Sequence, residues 1–189
     1  MKVQYYTATS LDGFIADPDN SLTWLLELGD EGDTGYEDFI ADVGALAMGS
    51  TTYEWVFREL DLAANPDAWP YRQPTWVFSS RRLPAVAGAD LRFASGPVSA
   101  VYEEQRHAAD GRNLWIVGGG DLAGQYADVD LLDEIIVDVA PVTLAGGAPL
   151  LPRRIATPAR LRLREARVNA DLFARLRYTL ERPADTVPG

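Results

Sequence analysis

The chain reads as an α/β protein built on a mixed, mostly parallel sheet that ends in an antiparallel hairpin, and three observations lead there. Short β-branched and aromatic runs alternate with segments of helical period, the pattern of right-handed βαβ crossovers. Some of these runs stop in glycines or hydroxyl residues that open a helix. The clearest is Leu114-Trp115-Ile116-Val117, followed by Gly118-Gly119-Gly120 and then Asp121-Leu122-Ala123. The C-terminal part changes to period two, as paired strands with one covered face do.

Val3 to Thr9 is the first strand, and Ser10 to Asn20 follows as a long loop of turn formers. Leu22, Trp24, Leu25, Leu26 and Leu28 form a short helical segment, and Gly29 to Gly35 is an acidic, glycine-punctuated stretch. Tyr36, Phe39, Ile40 and Val43 recur at helical spacing, and Ala45 to Met48 is a short buried strand. Gly49-Ser50-Thr51-Thr52-Tyr53-Glu54 starts a helix, with Thr51 and Glu54 in capping-box spacing. A proline-bearing loop, Asn65 to Pro74, leads to the strand Thr75–Phe78, which ends in Ser79-Ser80-Arg81-Arg82.

Leu91 to Phe93 is a short strand and Val98 to Ala109 a helix. The strand Leu114–Val117 is followed by a helix through Tyr126, the strand Leu132–Val139, and a glycine- and proline-rich loop from Thr143 to Pro152. In the hairpin, Leu161 and Leu163 interleave with Arg162 and Arg164. Val168 to Leu172 supplies its turn, and Leu172, Ala174, Leu176, Tyr178 and Leu180 face one side. Residues 1–182 are expected to form one domain, with 183–189 a loose tail.

Composition removes several function classes. The net charge of −11 argues against nucleic-acid binding, which needs a basic surface to neutralise phosphates. No run approaches the ~18 apolar residues of a membrane span, and Val3 follows the N-terminus without a signal-peptide pattern, so the expected address is cytoplasmic. With no cysteine and one histidine, His107, neither a metal site nor a Ser-His hydrolytic pair is expected.

Three motifs carry the chemistry, each following a strand, where ligands of open α/β sheets bind. Gly118 to Gly120 can expose backbone N–H groups to a phosphate at a helix start. Gly49 to Thr52 places small residues and hydroxyls on another helix N-terminus, either for an anion or as a plain cap. Ser79 to Arg82 combines hydroxyls with guanidiniums, suited to a phosphate monoester or to a solvated loop. Gly118, Gly120 and Gly124 miss the Rossmann spacing by one residue, and no Gly-Lys-Ser/Thr forms a P-loop.

In order along the chain, Thr9-Ser10-Leu11-Asp12-Gly13-Phe14-Ile15-Ala16, Met48 to Glu54, Val77 to Arg81, Ile116 to Gly120 and Ala140 to Gly147 resemble the dihydrofolate reductase-like superfamily. The resemblance is closest to the C-terminal reductase domain of bifunctional riboflavin-biosynthesis deaminase/reductases and its stand-alone relatives. It implies a three-layer α/β/α fold, NADPH as hydride donor, a small heterocyclic substrate and a homodimer. The implied activity is that of a 5-amino-6-(5-phosphoribosylamino)uracil reductase, with a dihydrofolate or pterin reductase as the alternative. It also puts Gly118, Gly119 and Gly120, with Val117 before them, at the cofactor pyrophosphate. Gly49, Thr51 and Thr52 would serve its phosphates and ribose, and Ser79, Ser80 and Arg81 its 2′-phosphate.

Ser10, Asp12 and Gly13 would border nicotinamide and substrate. Asp12 is either a substrate-binding or proton-moving carboxylate or an Asp-Gly turn. Asp33 lies fifteen residues before Met48, the separation that dihydrofolate reductases show for their pterin-binding acid, and is otherwise part of a solvated acidic loop. Trp24 either lines the substrate pocket or packs in the core. Two other classes would use the same glycines: a non-catalytic nucleotide-binding dimer and a flavin-mononucleotide protein.

Overall fold

A computed structural model of the chain describes residues 1–29, 35–154 and 160–181; Asp33 and the tail from 183 lie outside them. In chain order the elements are β1 (Val3–Thr9), β2 (Phe14–Ala16), α1 (Thr23–Leu26), α2 (Tyr36–Ala41), β3 (Val43–Gly49) and α3 (Ser50–Glu59). They continue with β4 (Thr75–Phe78), β5 (Leu91–Ala94), α4 (Tyr102–Ala109), β6 (Asn113–Val117) and α5 (Gly120–Asp128). The last are β7 (Glu134–Val139), β8 (Ala148–Pro149), β9 (Leu161–Asn169) and β10 (Phe173–Leu180).

Eight strands form one sheet in the order β5-β4-β3-β6-β1-β7-β10-β9. The six from β5 to β7 run parallel, whereas β10 is antiparallel to β7 and β9 to β10. Helices cover both faces. On one, Leu122, Ala123 and Tyr126 of α5 pack with Tyr5, Ile116 and Val137. On the other, Tyr53 and Val56 of α3 pack with Leu46, Met48, Val77 and Trp115. Burial on both faces explains why β3 reads as a continuous apolar run.

Several expectations change in detail. Val43 belongs to β3, not to the preceding helix. The expected helix from Val98 to Ala109 is a 3₁₀ turn, Val98–Ala100, and then α4. Both long loops contain a strand: β2 lies within Ser10–Asn20 and pairs antiparallel with β8, within Thr143–Pro152. The capping box is absent, because α3 starts two residues earlier than that motif requires. Gly49 is its N-cap with no side-chain cap, and Glu54 pairs instead with Arg81.

The hairpin turns through Ala170 and Asp171, at φ 49° and 53°. Cover along β10 does not follow its apolar alternation, for Leu180 is buried and Leu176 and Tyr178 are half-buried. Phe173 and Arg175 are buried, while Ala174, one of the residues expected to face inward, is exposed. Arg175 can sit inside because Asp138 of β7 is opposite it.

Candidate active site

The turns after β3, β4 and β6 leave the carboxyl ends of neighbouring parallel strands. After Val117 the chain must turn sharply into α5. Gly118 and Gly119 do so with φ of 64° and 79°, a region that disfavours side chains. A Cβ on Gly118 would stand 3.1 Å from the Thr52 hydroxyl, and one on Gly120 would be 2.0 Å from the Leu150 carbonyl oxygen. The glycine turn is therefore packed against the start of α3 on one side and the loop after β8 on the other. Neither α3 nor α5 has a side-chain N-cap, so the first N–H groups of both helices are left to other acceptors.

A cavity of about 440 Å³ opens at this junction. Thr51, Thr52, Val117 and Gly118 to Gly120 form its backbone-rich edge, Tyr6, Trp55, Tyr71 and Trp115 its aromatic walls, and Ile15, Ala16, Asn20 and Leu22 its side toward β2. Trp115 is held by donation of its indole N–H to the Tyr6 carbonyl at 3.0 Å and by edge contacts with Phe39 and Tyr71. Burial pushes the Tyr71 phenol above its ordinary value. Tyr6 is raised as well, first by burial and then by Asp138, to which its hydroxyl donates at 2.9 Å. Arg175 donates to the Tyr6 hydroxyl and grips Asp138 with Nε at 2.8 Å and Nη2 at 2.6 Å.

Of the residues expected to hold a cofactor, Thr51, Thr52, Val117, Gly118, Gly119 and Gly120 line this cavity, and Gly49 lies behind it as the α3 N-cap. Ser79, Ser80 and Arg81 follow β4 but do not line it. The Ser79 hydroxyl bonds the Arg81 backbone, and the exposed Arg81 guanidinium pairs with Glu54 at 2.7 Å.

Two residues expected at the substrate, Asp12 and Trp24, do not line this cavity. Asp12 lies outside the cavity as an exposed clamp. Its carboxylate accepts from the Ser10 hydroxyl at 2.6 Å, from Leu144 N–H at 3.0 Å and from Ala145 N–H at 2.7 Å. The Ser10 bond first, then the backbone bonds, lower its pKa, which suits an anchored anion and not a proton donor. Trp24 packs with Ala140 and Phe173 in a small buried cluster and lines no part of the cavity. Buried Ser10 also accepts the Phe14 N–H, and Gly13, at φ 89°, makes the turn; neither lines the cavity.

The aromatic walls were not singled out from the sequence. Trp115 stands three residues before the first glycine, but nothing local ties Tyr6, Trp55 and Tyr71 to it. Among the described residues no group of three or more His, Cys, Asp and Glu could hold a metal ion. No helix there is long and apolar enough to cross a membrane.

Fold and site together define an α/β protein that offers uncapped helix N-termini and a glycine turn to a ligand at its strand ends. The chain belongs to the RibD C-terminal domain family, whose model matches residues 1–171. It is 32% identical over 163 residues to the uncharacterized protein YwjB of Bacillus subtilis (strain 168), covering 86% of this chain and 89% of that protein. The crystal structure of a putative riboflavin biosynthesis protein from Shewanella sp. PV-4 superposes with a TM-score of 0.75 at 28% identity, over 96% of this chain and all of the other. Acinetobacter baumannii RibD shares the fold, with a TM-score of 0.62 at 17% identity, and the match covers 96% of this chain and 58% of that one.

Proposed function

We propose that this chain is an NADPH-dependent reductase that delivers hydride to the carbon of a C=O or C=N bond in a small heterocycle, an aminopyrimidine of the riboflavin-biosynthesis type or a pterin. One observation carries the reading: a single cavity joins two uncapped helix N-termini and the Gly118-Gly119 turn to four aromatic walls. Family membership supports the same class of chemistry.

The residues fit a phosphorylated dinucleotide. Backbone N–H groups of Gly118 to Gly120 would hold its pyrophosphate, with Thr51 and Thr52 at the phosphates and ribose. Arg81, together with Ser79 and Ser80, would reach the 2′-phosphate by exchanging Glu54 for it. When bound, the reduced nicotinamide supplies the hydride. Tyr6, Trp55, Tyr71 and Trp115 stack the substrate ring and exclude water, the positioning work a cofactor leaves to its protein. A proton comes to the adjacent heteroatom from water or from a carboxylate, for which Asp33 is the candidate; Asp12 fixes the β2–β8 flap. The reading includes a cytoplasmic homodimer, for which Leu163 and Val168, exposed on the outer face of the hairpin, are the contact candidates.

Trp55 and Trp115 make the test direct, because both stand in the cavity. NADPH should quench tryptophan fluorescence at lower concentration than NADH, and Arg81→Ala should erase that preference. Steady NADPH oxidation over a panel of aminopyrimidines and pterins identifies the enzyme. A protein quenched by neither nucleotide would end the proposal.

A further inference from the structure

A second cavity, of about 350 Å³, lies at the amino ends of β1, β6 and β7, on the α2 face of the sheet and away from the carboxyl ends that build the cleft. The two share one lining residue, Tyr6. Gln4 and Glu134, paired positions of β1 and β7, form the floor of this trench. Arg167 and Arg177 line its hairpin side, and Asp38 and Asp42 its α2 side.

The two sides carry unbalanced charge. Lys2 is committed to Glu134 at 2.6 Å and Arg175 to Asp138. Arg167 and Arg177 have one carboxylate between them. Arg167 pairs with Glu165, while Arg177 Nε stands 3.7 Å from it and is buried without a hydrogen-bonded acceptor. On the α2 side, Asp38 and Asp42 have no cation partner among the described residues. They are four residues apart, where like charges repel, and Asp42 is the C-cap of α2, an end that favours cations. The floor adds a buried acceptor. Gln4 is 5% exposed and spends its amide N–H on Glu134 at 2.7 Å, but its Oε1 has no donor. Buried polar atoms are normally satisfied, so an open acceptor and an open donor on one cavity point to a guest with a group for each.

We propose that the trench binds a small zwitterion with its ammonium and carboxylate at opposite ends, an ω-amino acid in form. The ammonium donates to Gln4 Oε1 and faces Asp38 and Asp42. The carboxylate accepts from Arg177 Nε, the donor that Glu165 leaves open. Strand β7 separates those of Gln4 and Arg177, so their backbones are roughly 10 Å apart, which calls for charges set apart and not on one carbon. An anion alone leaves the two aspartates unmatched, an amine alone leaves Arg177 without an acceptor, and a neutral polyol answers neither charge. The volume lies within the range of small-ligand sites, roughly 300–1,000 Å³. The site uses neither the glycine turn nor the helix starts of the cleft, so it stands whether or not the reductase reading does.

The test measures binding to the whole protein by calorimetry. The probes are γ-aminobutyrate, δ-aminovalerate and ε-aminocaproate, each set against the plain carboxylate and the plain amine of equal length. At least one zwitterion should bind about tenfold or more tightly than both of its singly charged counterparts. Arg177→Met, at a side chain 37% exposed, should bring that zwitterion down to the level of the amine. Gln4→Met, which keeps the volume, and the double change Asp38→Asn with Asp42→Asn, both at exposed positions, should each bring it toward the level of the carboxylate. NADPH quenching should be unchanged in all three. No zwitterion outbinding both counterparts overturns the proposal, as does an advantage that survives Arg177→Met or survives both changes at the ammonium end.

Discussion

The cleft and the trench share Tyr6 yet are built by opposite means. The cleft presents backbone, two helix starts and a glycine turn against aromatic side chains. The trench is lined by charged and amide side chains from β1, β7, β9, β10 and the α2 side, with Lys2 paired to Glu134, Arg175 to Asp138 and Arg167 to Glu165. The cleft should therefore be sensitive to any added Cβ and tolerant of charge changes, and the trench the reverse.

The largest effect expected on the trench side comes from Arg175→Leu. Asp138 and Arg175 are 9% and 5% exposed at the side chain, so removal of the guanidinium strands a buried carboxylate. The expected loss of stability is about 3–5 kcal/mol. The double change Arg175→Leu with Asp138→Leu should recover most of it, because an apolar pair carries no buried charge. Denaturant melts of both variants decide the matter. A double variant no more stable than the single would mean that this corner depends on packing around Tyr6 and not on the ion pair.

Gly120→Ala is the matching break on the cleft side, with a somewhat smaller stability effect. The new methyl would meet the Leu150 carbonyl oxygen at 2.0 Å and Pro152 Cδ at 2.8 Å, and the first of these is backbone that cannot rotate away. Overpacking of this kind costs about 1–3 kcal/mol. The loop after β8 must move, so NADPH quenching should fall sharply while the stability contributed by the Asp138–Arg175 pair is retained. Unchanged quenching would separate the cleft from the loop that closes it.

Legibility in the sequence follows the same division. Backbone devices are local, so Gly118 to Gly120 behind Leu114–Val117, and Thr51 and Thr52 at the start of α3, can be picked out from the order of residues alone as residues of one cavity. The mixed sheet and its hairpin are legible for the same reason, through period and turn residues. The trench depends on partners such as Asp138 and Arg175, thirty-seven positions apart, whose meeting is decided by strand order and register. Alternation in β10 gives the parity of its faces but not which positions the protein covers, and Arg175 goes inward because β7 supplies its counter-ion. Asp12 shows the limit most plainly: an Asp-Gly pair in a loop suits both a turn and a proton donor, and only the N–H groups of Leu144 and Ala145 separate the two.

Acid should distinguish the regions with the smallest effect, because a titratable group held by charges borders the trench and the aromatic walls have no counterpart to it. Burial by itself would raise the Glu134 carboxyl, but the bonds from Lys2 and Gln4 and the charges of Lys2 and Arg177 outweigh it and hold it below its ordinary value. A folded-state pKa below the unfolded one means that the native protein binds fewer protons through that interval. The resulting stability is present above the unfolded carboxylate value, about 4.3, and is lost as pH falls through the folded one. Asp12 is lowered too and acts with the same sign, but from an exposed loop. Gln4→Met removes one of the bonds that lower Glu134, so its folded pKa rises toward the unfolded one and the acid limb of thermal stability should shrink by an amount worth a few degrees at most. Asp12→Asn should reduce that limb without altering probe binding in the trench. An acid limb unchanged by Gln4→Met would show that Lys2 and the charge of Arg177 hold Glu134 down without the buried amide.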